Sequence, residues 1–276
     1  IWKNVKNSTD QMDYKDLLAY KKSFALAIAA IMAVGALAGC SNTAKEANTS
    51  EKIIMGTNAE FPPFEFVADE GEGVVGEFAG IDIEISKKIA EKLGKELVIE
   101  NMQFEGLVAS VQSGKIDFAA AGMTATDERR ESVDFSDTYF VAEQVMVVKP
   151  DSTIEKAEDL KNANMVGVVL GYTGDAIVTD DLAVEESKIL RVSRGIDGVQ
   201  EVKNGKLDAM VIDSATGIAL AEENGLKVVK DAEVFAAEEY AIAVQKGDAE
   251  LLEAINSVLA EMKANGEIDE LAKKYN

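Results

Sequence analysis

The sequence predicts an α/β protein with two similar lobes, each a mostly parallel sheet flanked by helices, joined by two hinge crossings with a ligand crevice between them. Short apolar runs alternate with helical patterns from Lys52 onward, which is typical of parallel sheets covered by helices. A unit of Gly, Lys, an apolar residue and Asp occurs twice, at residues 114–117 and 205–208, each time between a helix end and an apolar strand. The three prolines, at positions 62, 63 and 150, leave long helices and strands uninterrupted.

The individual elements follow from hydrophobic periodicity. Residues 52–56 form the first predicted strand, and an i, i+4 stripe of apolar residues from Ile81 to Leu93 predicts a helix that ends at Gly94. Further strands are predicted at 97–99, 118–121, 145–148, 165–170, 209–212 and 240–244, a short helix at 107–111, and a last helix at about 248–263.

The repeated unit indicates how the lobes divide. In both copies the apolar strand ends eight residues after the glycine, at Gly122 and at Asp213. Ligands of open α/β sheets bind outside the carboxyl ends of the strands, so these two ends are expected to face the crevice. A single copy of the unit indicates only a generic helix-to-strand turn. Its repetition ahead of different polar residues supports two similar lobes. The predicted lobes are 51–142 plus 245–276 and 143–244.

The first fifty residues are predicted to be a targeting segment and a tether. Lys21 and Lys22 precede an uncharged apolar run at 23–39 that ends Leu-Ala-Gly ahead of Cys40. This order is typical of a secretory signal peptide, and the run is too short for a membrane span of ~20 residues. Leu-Ala-Gly-Cys resembles the bacterial lipobox, which implies a lipid on Cys40. We expect residues 1–39 to be a signal peptide, with 1–11 as upstream read-through, and 40–50 to be the lipidated cysteine and a flexible tether.

The composition of the chain argues against several kinds of function. The chain carries 28 Lys and Arg against 50 Asp and Glu, a net charge of −22, which argues against a nucleic-acid partner because phosphate binding needs a basic surface. There is no His, which removes the commonest general base and transition-metal ligand. The single Cys excludes an internal disulfide and a cysteine-cluster metal site. No catalytic residue, metal or cofactor is expected.

Charged residues of opposite sign follow the two repeated strands. Arg129 comes shortly after the first, and arginine suits two-pronged recognition of a carboxylate, with Thr124 as a further donor. Taken alone, this pattern favours a capping turn with a solvated arginine. Asp213 ends the second strand, where a carboxylate needs a cationic partner to offset its desolvation. One predicted lobe therefore offers a cation and the other an anion, a combination that suits a zwitterion.

Two loops add candidate contacts. The loop at 56–66 holds three aromatic residues within six positions, and Phe61 is the best placed to face a ligand, because an ordinary surface loop exposes less apolar area. The loop after the strand at 165–170 contains Gly171, which lets backbone approach a ligand closely. This loop lacks the spacing of a phosphate-binding loop.

The order of the motifs resembles a known family. The motifs are GTNAEFPPFEF at 56–66, GIDIEI at 80–85, the run from FEGLVAS to TDERR at 104–130, VDFSDTYF at 133–140, and the strand end at Asp213. In this combination, residues 51–276 resemble the family 3 extracellular solute-binding proteins of polar amino acid ABC transporters. That resemblance implies the type II fold of periplasmic binding proteins, and a lipoprotein form of it here.

The resemblance also implies roles for individual residues. Arg129 and Thr124 would hold the α-carboxylate of an amino acid, while Asp213 and the carbonyl of Gly122 would hold its ammonium group. Aromatic rings would enclose the ligand's side chain, and N–H groups of the second lobe would complete the site. The implied ligand-binding residues are Asn58, Phe61, Phe104, Gly122, Thr124, Arg129, Leu170, Thr173, Gly174 and Asp213.

The ligand class stays open between neutral polar and basic amino acids. Asn58 stands where binders of basic amino acids often carry Asp, and Leu170 stands where a polar residue is common. Both departures weaken the case for a basic ligand, whereas Asp82, Glu60 and Glu65 keep it open. A structural role is favoured for Asp82.

The predicted function is extracytoplasmic capture of a free amino acid and its delivery to an ABC importer by closure of the two lobes. The expected partners are the amino acid, the permease of the importer and the cell membrane, through a lipid on Cys40; the protein itself is expected to be a monomer. One alternative is an enzyme on the same fold, similar to cyclohexadienyl dehydratases, although the lack of His and of a nucleophile–base pair argues against it. Another alternative is a tethered protein that senses its ligand and does not transport it.

Overall fold

The structure is a computed structural model that describes residues 51–68, 71 and 73–275. The predicted signal peptide, Cys40 and the tether lie outside the described residues. The strands are β1 (Lys52–Thr57), β2 (Glu60–Phe61), β3 (Glu65–Val67), β4 (Phe78–Ala79), β5 (Glu96–Asn101), β6 (Phe118–Ala119), β7 (Val133–Phe135), β8 (Phe140–Ala142), β9 (Gln144–Val148), β10 (Val166–Val169), β11 (Ile189–Val192), β12 (Ala209–Asp213), β13 (Lys227–Val229), β14 (Glu238–Tyr240) and β15 (Ala243–Gln245).

Helices lie between most of these strands. The α-helices are α1 (Ile81–Leu93), α2 (Leu107–Gln112), α3 (Asp127–Ser132), α4 (Thr173–Ala176), α5 (Gly195–Asn204), α6 (Ser214–Asn224), α7 (Ala249–Ala264) and α8 (Glu267–Tyr275). Short 3-10 helices occur at Phe104–Gly106, Ala157–Asn162 and Glu186–Lys188, and a π-helical turn occurs at Ile177–Asp181. Within the described part of the chain, no helix is long and apolar enough to cross a membrane.

Two five-stranded sheets share one topology. The first has the order β5-β1-β6-β15-β7 and the second the order β11-β10-β12-β9-β13. In each, the first three strands are parallel and the other two pairings are antiparallel. The predicted α/β fold with flanking helices is confirmed, with more antiparallel pairing than expected, because β9 and β15 are the strands by which the chain enters the second sheet and returns to the first.

The predicted helix at 81–93 is α1, and its ends follow from glycine. Gly80 and Gly94 have φ angles of 129° and 65°, which glycine adopts without the strain of a side chain, so the helix starts and stops between them. Its isoleucines are buried, and the helix packs against α7 and β5. One apolar core surrounds the first sheet and continues into the inner layer of the second, while a smaller one covers the other face of the second sheet.

The repeated Gly-Lys-apolar-Asp unit has the same structure in both sheets. Its glycines, Gly114 and Gly205, have φ angles of 70° and 76° and end α2 and α5. The Asp117 carboxylate accepts a hydrogen bond from the N–H of Ile54 in β1 at 2.6 Å. The Asp208 carboxylate accepts one from the N–H of Asn164, just ahead of β10, at 2.5 Å. Each aspartate therefore connects the chain just ahead of β6 or β12 to the neighbouring strand, β1 or β10.

The predicted strand at 240–244 is in fact two strands. β14 pairs with β8, whereas β15 joins the first sheet, and residues 241–242 between them belong to neither strand. Ala243 and Val244 therefore belong to the first sheet, although the predicted lobe boundary placed them in the second lobe. An apolar run does not reveal this change of partner strand. The remaining division into two lobes stays a prediction.

Candidate functional site

A small cavity lies where the carboxyl ends of β6 and β12 approach each other. Seven of the ten residues that the resemblance implied line it, together with Ala121 and Tyr172. The seven are Phe61, Phe104, Gly122, Thr124, Arg129, Thr173 and Asp213. The structure thus brings together residues that come from both sheets and are up to 152 positions apart in the chain.

Arg129 lies in the first turn of α3, and the Thr126 hydroxyl caps this helix by accepting a hydrogen bond from the Arg129 N–H. One end of the guanidinium donates to the Thr124 carbonyl at 2.8 Å, and the other end donates to the Gly171 carbonyl at 2.9 Å. The Phe104 ring lies under it, with 5.1 Å from Cζ to the ring centroid. Burial lowers the pKa of Arg129, but a guanidinium stays charged and has five N–H donors, so donors remain for an anion.

Asp213 forms the opposite pole of the cavity. Its side chain is buried at the end of β12, and the Tyr240 hydroxyl donates to its Oδ1 atom at 2.5 Å. Burial and, next, the nearby charge of Glu238 raise the pKa of Asp213 to about 7. A cation placed against this carboxylate would relieve both effects by favouring its charged form.

Three aromatic rings close the cavity. Tyr172 makes edge-to-face contacts with Phe61 and Phe104, with 5.5 Å and 4.6 Å between ring centroids. The Tyr172 hydroxyl donates to Oδ1 of Asn58 at 3.4 Å, and the Asn58 amide donates to the Met102 carbonyl at 3.0 Å. Asn58 therefore lies behind Tyr172 and outside the lining, although the sequence placed it among the ligand contacts.

Two other implied residues also lie outside the lining. Leu170 is 40% exposed, because its side chain points to solvent just after β10 ends. Gly174 is packed against Gln144 and Val211 so closely that a Cβ atom there would lie 2.8 Å from the Gln144 side-chain oxygen. Its neighbour Thr173 carries the side chain that reaches the cavity.

Sequence reasoning missed three residues around the cavity: Tyr172, Gln144 and Glu238. Oε2 of Glu238 accepts hydrogen bonds from the Thr124 and Thr173 hydroxyls, each at 2.7 Å, and from the Gln144 amide at 3.4 Å. The alternation of side chains along β14 gave a signal for Glu238. Residues two positions apart in a strand point to the same side, so Glu238 must be buried on the side of Tyr240.

A buried acid pair supports Gly122 from behind. Oδ2 of Asp82 accepts hydrogen bonds from the Gly122 N–H at 2.8 Å and from the Tyr139 hydroxyl at 2.7 Å. Glu65 is fully buried beside Asp82, and burial, followed by the charge of Asp82, raises the pKa of Glu65 well above its usual range. Burial also raises the pKa of Asp82, to about 6.

Two adjacent buried carboxyl groups cannot both be charged without a large penalty, and Glu65 is the one that keeps its proton since its pKa is raised further. Oδ1 of Asp82 and both Glu65 oxygens have no hydrogen-bond partner among the described residues, so the charge of Asp82 is stabilised by the Gly122 and Tyr139 donors to its Oδ2 atom. This position fits the structural role that the sequence favoured for Asp82.

Comparison with known proteins identifies the family. The profile of the bacterial extracellular solute-binding proteins, family 3, matches residues 53–276. The chain belongs to this family. That membership confirms the resemblance drawn from the motifs and makes the protein an extracellular solute-binding protein.

Individual relatives agree with this membership. The arginine-binding extracellular protein ArtP of Bacillus subtilis is 36% identical over 260 residues, covering 92% of this chain and 98% of ArtP. The crystal structure of the substrate binding protein of an amino acid ABC transporter matches with a TM-score of 0.74 at 40% identity, over 81% of this chain and 98% of that one. The ancestral amino acid-binding protein AncCDT-1, a precursor of cyclohexadienyl dehydratase, matches with a TM-score of 0.72 at 33% identity, over 81% of this chain and 95% of that one.

Proposed function

We propose that the protein captures a free amino acid, neutral polar or basic, and delivers it to an ABC importer. The observation that carries this proposal is that Arg129 and Asp213 line one small cavity as its cationic and anionic poles. The ligand's carboxylate binds the free N–H groups of Arg129, and its ammonium group binds Asp213 and the Gly122 carbonyl. The names of ArtP and of the matched ABC-transporter protein support a free amino acid as the solute.

The walls of the cavity suit the rest of such a ligand. Phe61, Phe104 and Tyr172 provide apolar surface for the carbon chain, and the faces of their rings also attract cationic groups. Because the rings exclude water, the charged contacts at the two poles become stronger than they would be at an exposed site.

A thermal-shift screen of the purified protein against the twenty amino acids tests this function. A ligand present at about 100 times its Kd stabilises the native state by ~2.7 kcal/mol, so at least one polar or basic amino acid should raise the Tm by several degrees. A screen in which no amino acid raises the Tm contradicts the proposal.

We further propose that the mature protein begins at Cys40, is anchored to the cell membrane by a lipid on that residue, and acts as a monomer. The apolar run at 23–39 with its Leu-Ala-Gly-Cys ending supports the anchor. Expression of Cys40→Ser in a bacterium should move the protein from the membrane fraction to the soluble fraction. A variant that stays in the membrane fraction contradicts the anchor.

Enzymatic activity is a second candidate, and the raised pKa of Asp213 favours it, because a buried carboxyl with a pKa of about 7 could act as a general acid. AncCDT-1, itself an amino acid-binding protein, is a precursor of cyclohexadienyl dehydratase, so its match relates this fold to an enzyme. We propose that the protein binds its ligand without turnover. Incubation with prephenate should give no phenylpyruvate, and product formation that depends on Asp213 would establish the enzyme.

A further inference from the structure

Glu238 is a second buried carboxylate beside the cavity. It is 8% exposed, and its Oε2 atom accepts hydrogen bonds from the hydroxyls of Thr124 and Thr173, two residues that line the cavity. Its third donor is the Gln144 amide. Glu238 therefore lies one hydrogen bond behind the cavity wall.

The charges around the cavity do not balance. Among its nine lining residues, Arg129 is the cation and Asp213 the anion, and Glu238 adds a second negative charge just behind the wall. All three hydrogen-bond donors to Glu238 are neutral groups, so its charge is stabilised without being neutralised. Once a zwitterion has paired with Arg129 and Asp213, the charge of Glu238 remains.

We propose that Glu238 is a specificity-determining residue, whose buried carboxylate makes the site prefer amino acids with a cationic side chain over neutral ones of the same shape. This inference rests on the proposed capture of an amino acid. We take the Glu238 carboxylate and the cationic group of the ligand's side chain to be about 8 Å apart, in surroundings with an effective dielectric constant near 20. The attraction between these two charges then corresponds to roughly a thirtyfold effect on affinity, and partial screening reduces it to about tenfold.

A merely structural role for Glu238 predicts something different. If Glu238 only held the Thr124 and Thr173 hydroxyls in place, its replacement would weaken every amino acid ligand alike. Charge selection instead predicts a change in the ratio between two ligands that differ only in charge. Arginine and citrulline form such a pair, since citrulline carries a neutral ureido group in place of the guanidinium.

The test is calorimetric titration of wild-type protein and Glu238→Gln with both ligands. The wild type should bind arginine about tenfold more tightly than citrulline, and in Glu238→Gln this ratio should fall toward one. Glu239→Gln is the matched control, because Glu239 is the exposed neighbour on the opposite side of β14 and its loss changes the net charge equally. The control should keep the wild-type ratio.

Each contrary outcome has one meaning. A ratio that stays at the wild-type value in Glu238→Gln, or a wild type that binds both ligands equally, overturns the role of Glu238 while amino acid capture stands. A wild type that binds neither of them nor any other amino acid overturns both proposals. If Glu238→Gln does not fold, Glu238→Ala, which leaves room for water, must show the same loss of preference, and an unchanged ratio there overturns the inference.

Discussion

Arg129 and Asp213 reach the cavity from different sheets, Arg129 through α3 after β6 and Asp213 at the end of β12. Losing either partner of a buried charge contact costs ~3–5 kcal/mol, because the surviving charge is left desolvated and unpaired. We therefore expect Arg129→Ala and Asp213→Ala to lower affinity for the best ligand by roughly two to four orders of magnitude in calorimetric titration. Arg129→Lys should be nearly as damaging, since an ammonium cannot reproduce the two-pronged geometry.

Arg130 provides the matched control for this prediction. It carries the same charge on the same helix, but its guanidinium lies over the Phe135 ring at 5.3 Å and outside the cavity lining. Arg130→Ala should bind the ligand as the wild type does. Binding within threefold of wild type in Arg129→Ala or in Asp213→Ala would refute the proposed site.

Glu65 makes stability depend on pH. Its pKa is raised in the folded state, so the unfolded chain loses this proton first as pH rises. The stability contribution is complete below the unfolded pKa of ~4.3 and declines by up to ~1.4 kcal/mol per pH unit until the folded pKa is reached. Glu65→Gln has nearly the same shape and no proton to lose, so at pH 8 it should unfold at a higher temperature than wild type.

The same variant should match the wild type near pH 4, where both forms carry their hydrogen. Glu96→Gln, on an exposed strand position, is the control and should leave the pH profile of the Tm unchanged. A Glu65→Gln profile parallel to that of the wild type would show that Glu65 is already ionised in the folded protein.

Among individual residues, the sequence predicted the two charged poles of the cavity and missed the residues that contact its lining from behind. Arg129 and Asp213 could be found because each follows a strand that apolar residues mark clearly. Tyr172 could not, because its importance comes from contacts with residues more than 60 positions away. For Glu238, alternation along β14 indicated a buried side, but its partners Thr124 and Thr173 are also more than 60 positions away. For Leu170, the chain pattern gave the position but not the direction of the side chain.

Periodicity predicted the long elements well, and it failed for short ones. The helix α1 and strands such as β9 were predictable because each buries one face or both over several residues. The small sheet β2-β3-β4 has strands of two or three residues, and no period can be recognised over so short a run. The sequence placed β2 and most of β3 in a loop at 56–66 and gave no prediction for β4.

Both repeated aspartates should contribute to stability. Asp117 accepts a hydrogen bond from the N–H of Ile54 within β1, and Asp208 accepts one from the N–H of Asn164 just ahead of β10. Asp117→Ala and Asp208→Ala should each lower the free energy of unfolding by ~1–2 kcal/mol in urea denaturation, as expected for hydrogen bonds to a charged group. Because the residues lie in different sheets, the effects should add in the double variant.

The exposed Asp151 is the control for this pair, since Asp151→Ala removes a carboxylate that has no such role. A loss of less than about 0.3 kcal/mol in both single variants, within the range of ordinary surface substitutions, would mean that the unit is only a turn.

The whole molecule repeats one arrangement twice, in which β1 and β10, β6 and β12, and β15 and β9 occupy equivalent places in the two sheets. The sequence predicted this similarity from a single four-residue unit. It could not predict how the sheets face each other, because that depends on contacts such as the hydrogen bond from the Thr216 hydroxyl to the Pro62 carbonyl, at 2.6 Å across 154 positions.

These contacts lead to a prediction about closure. β8 and β14 are the paired segments by which the chain passes between the sheets, and only a few residues must change their φ and ψ angles for such a pair to act as a hinge. In the arrangement described here, Arg129 reaches the Gly171 carbonyl and Thr216 reaches Pro62, so both contacts bind one sheet's loops to the other's. A ligand that engages both poles should favour this closed arrangement.

Solution scattering should therefore show a smaller radius of gyration when the protein is saturated with its best ligand. Arg129→Ala at the same ligand concentration should show no decrease, because it lacks one pole. Thr216→Val loses a hydrogen bond that exists only when the sheets are close, and at a net ~0.5–1.5 kcal/mol this should weaken binding by roughly two- to tenfold without touching the cavity. An unchanged radius at saturation would mean that the ligand enters a site that is already closed, and Thr216→Val would then bind as tightly as the wild type.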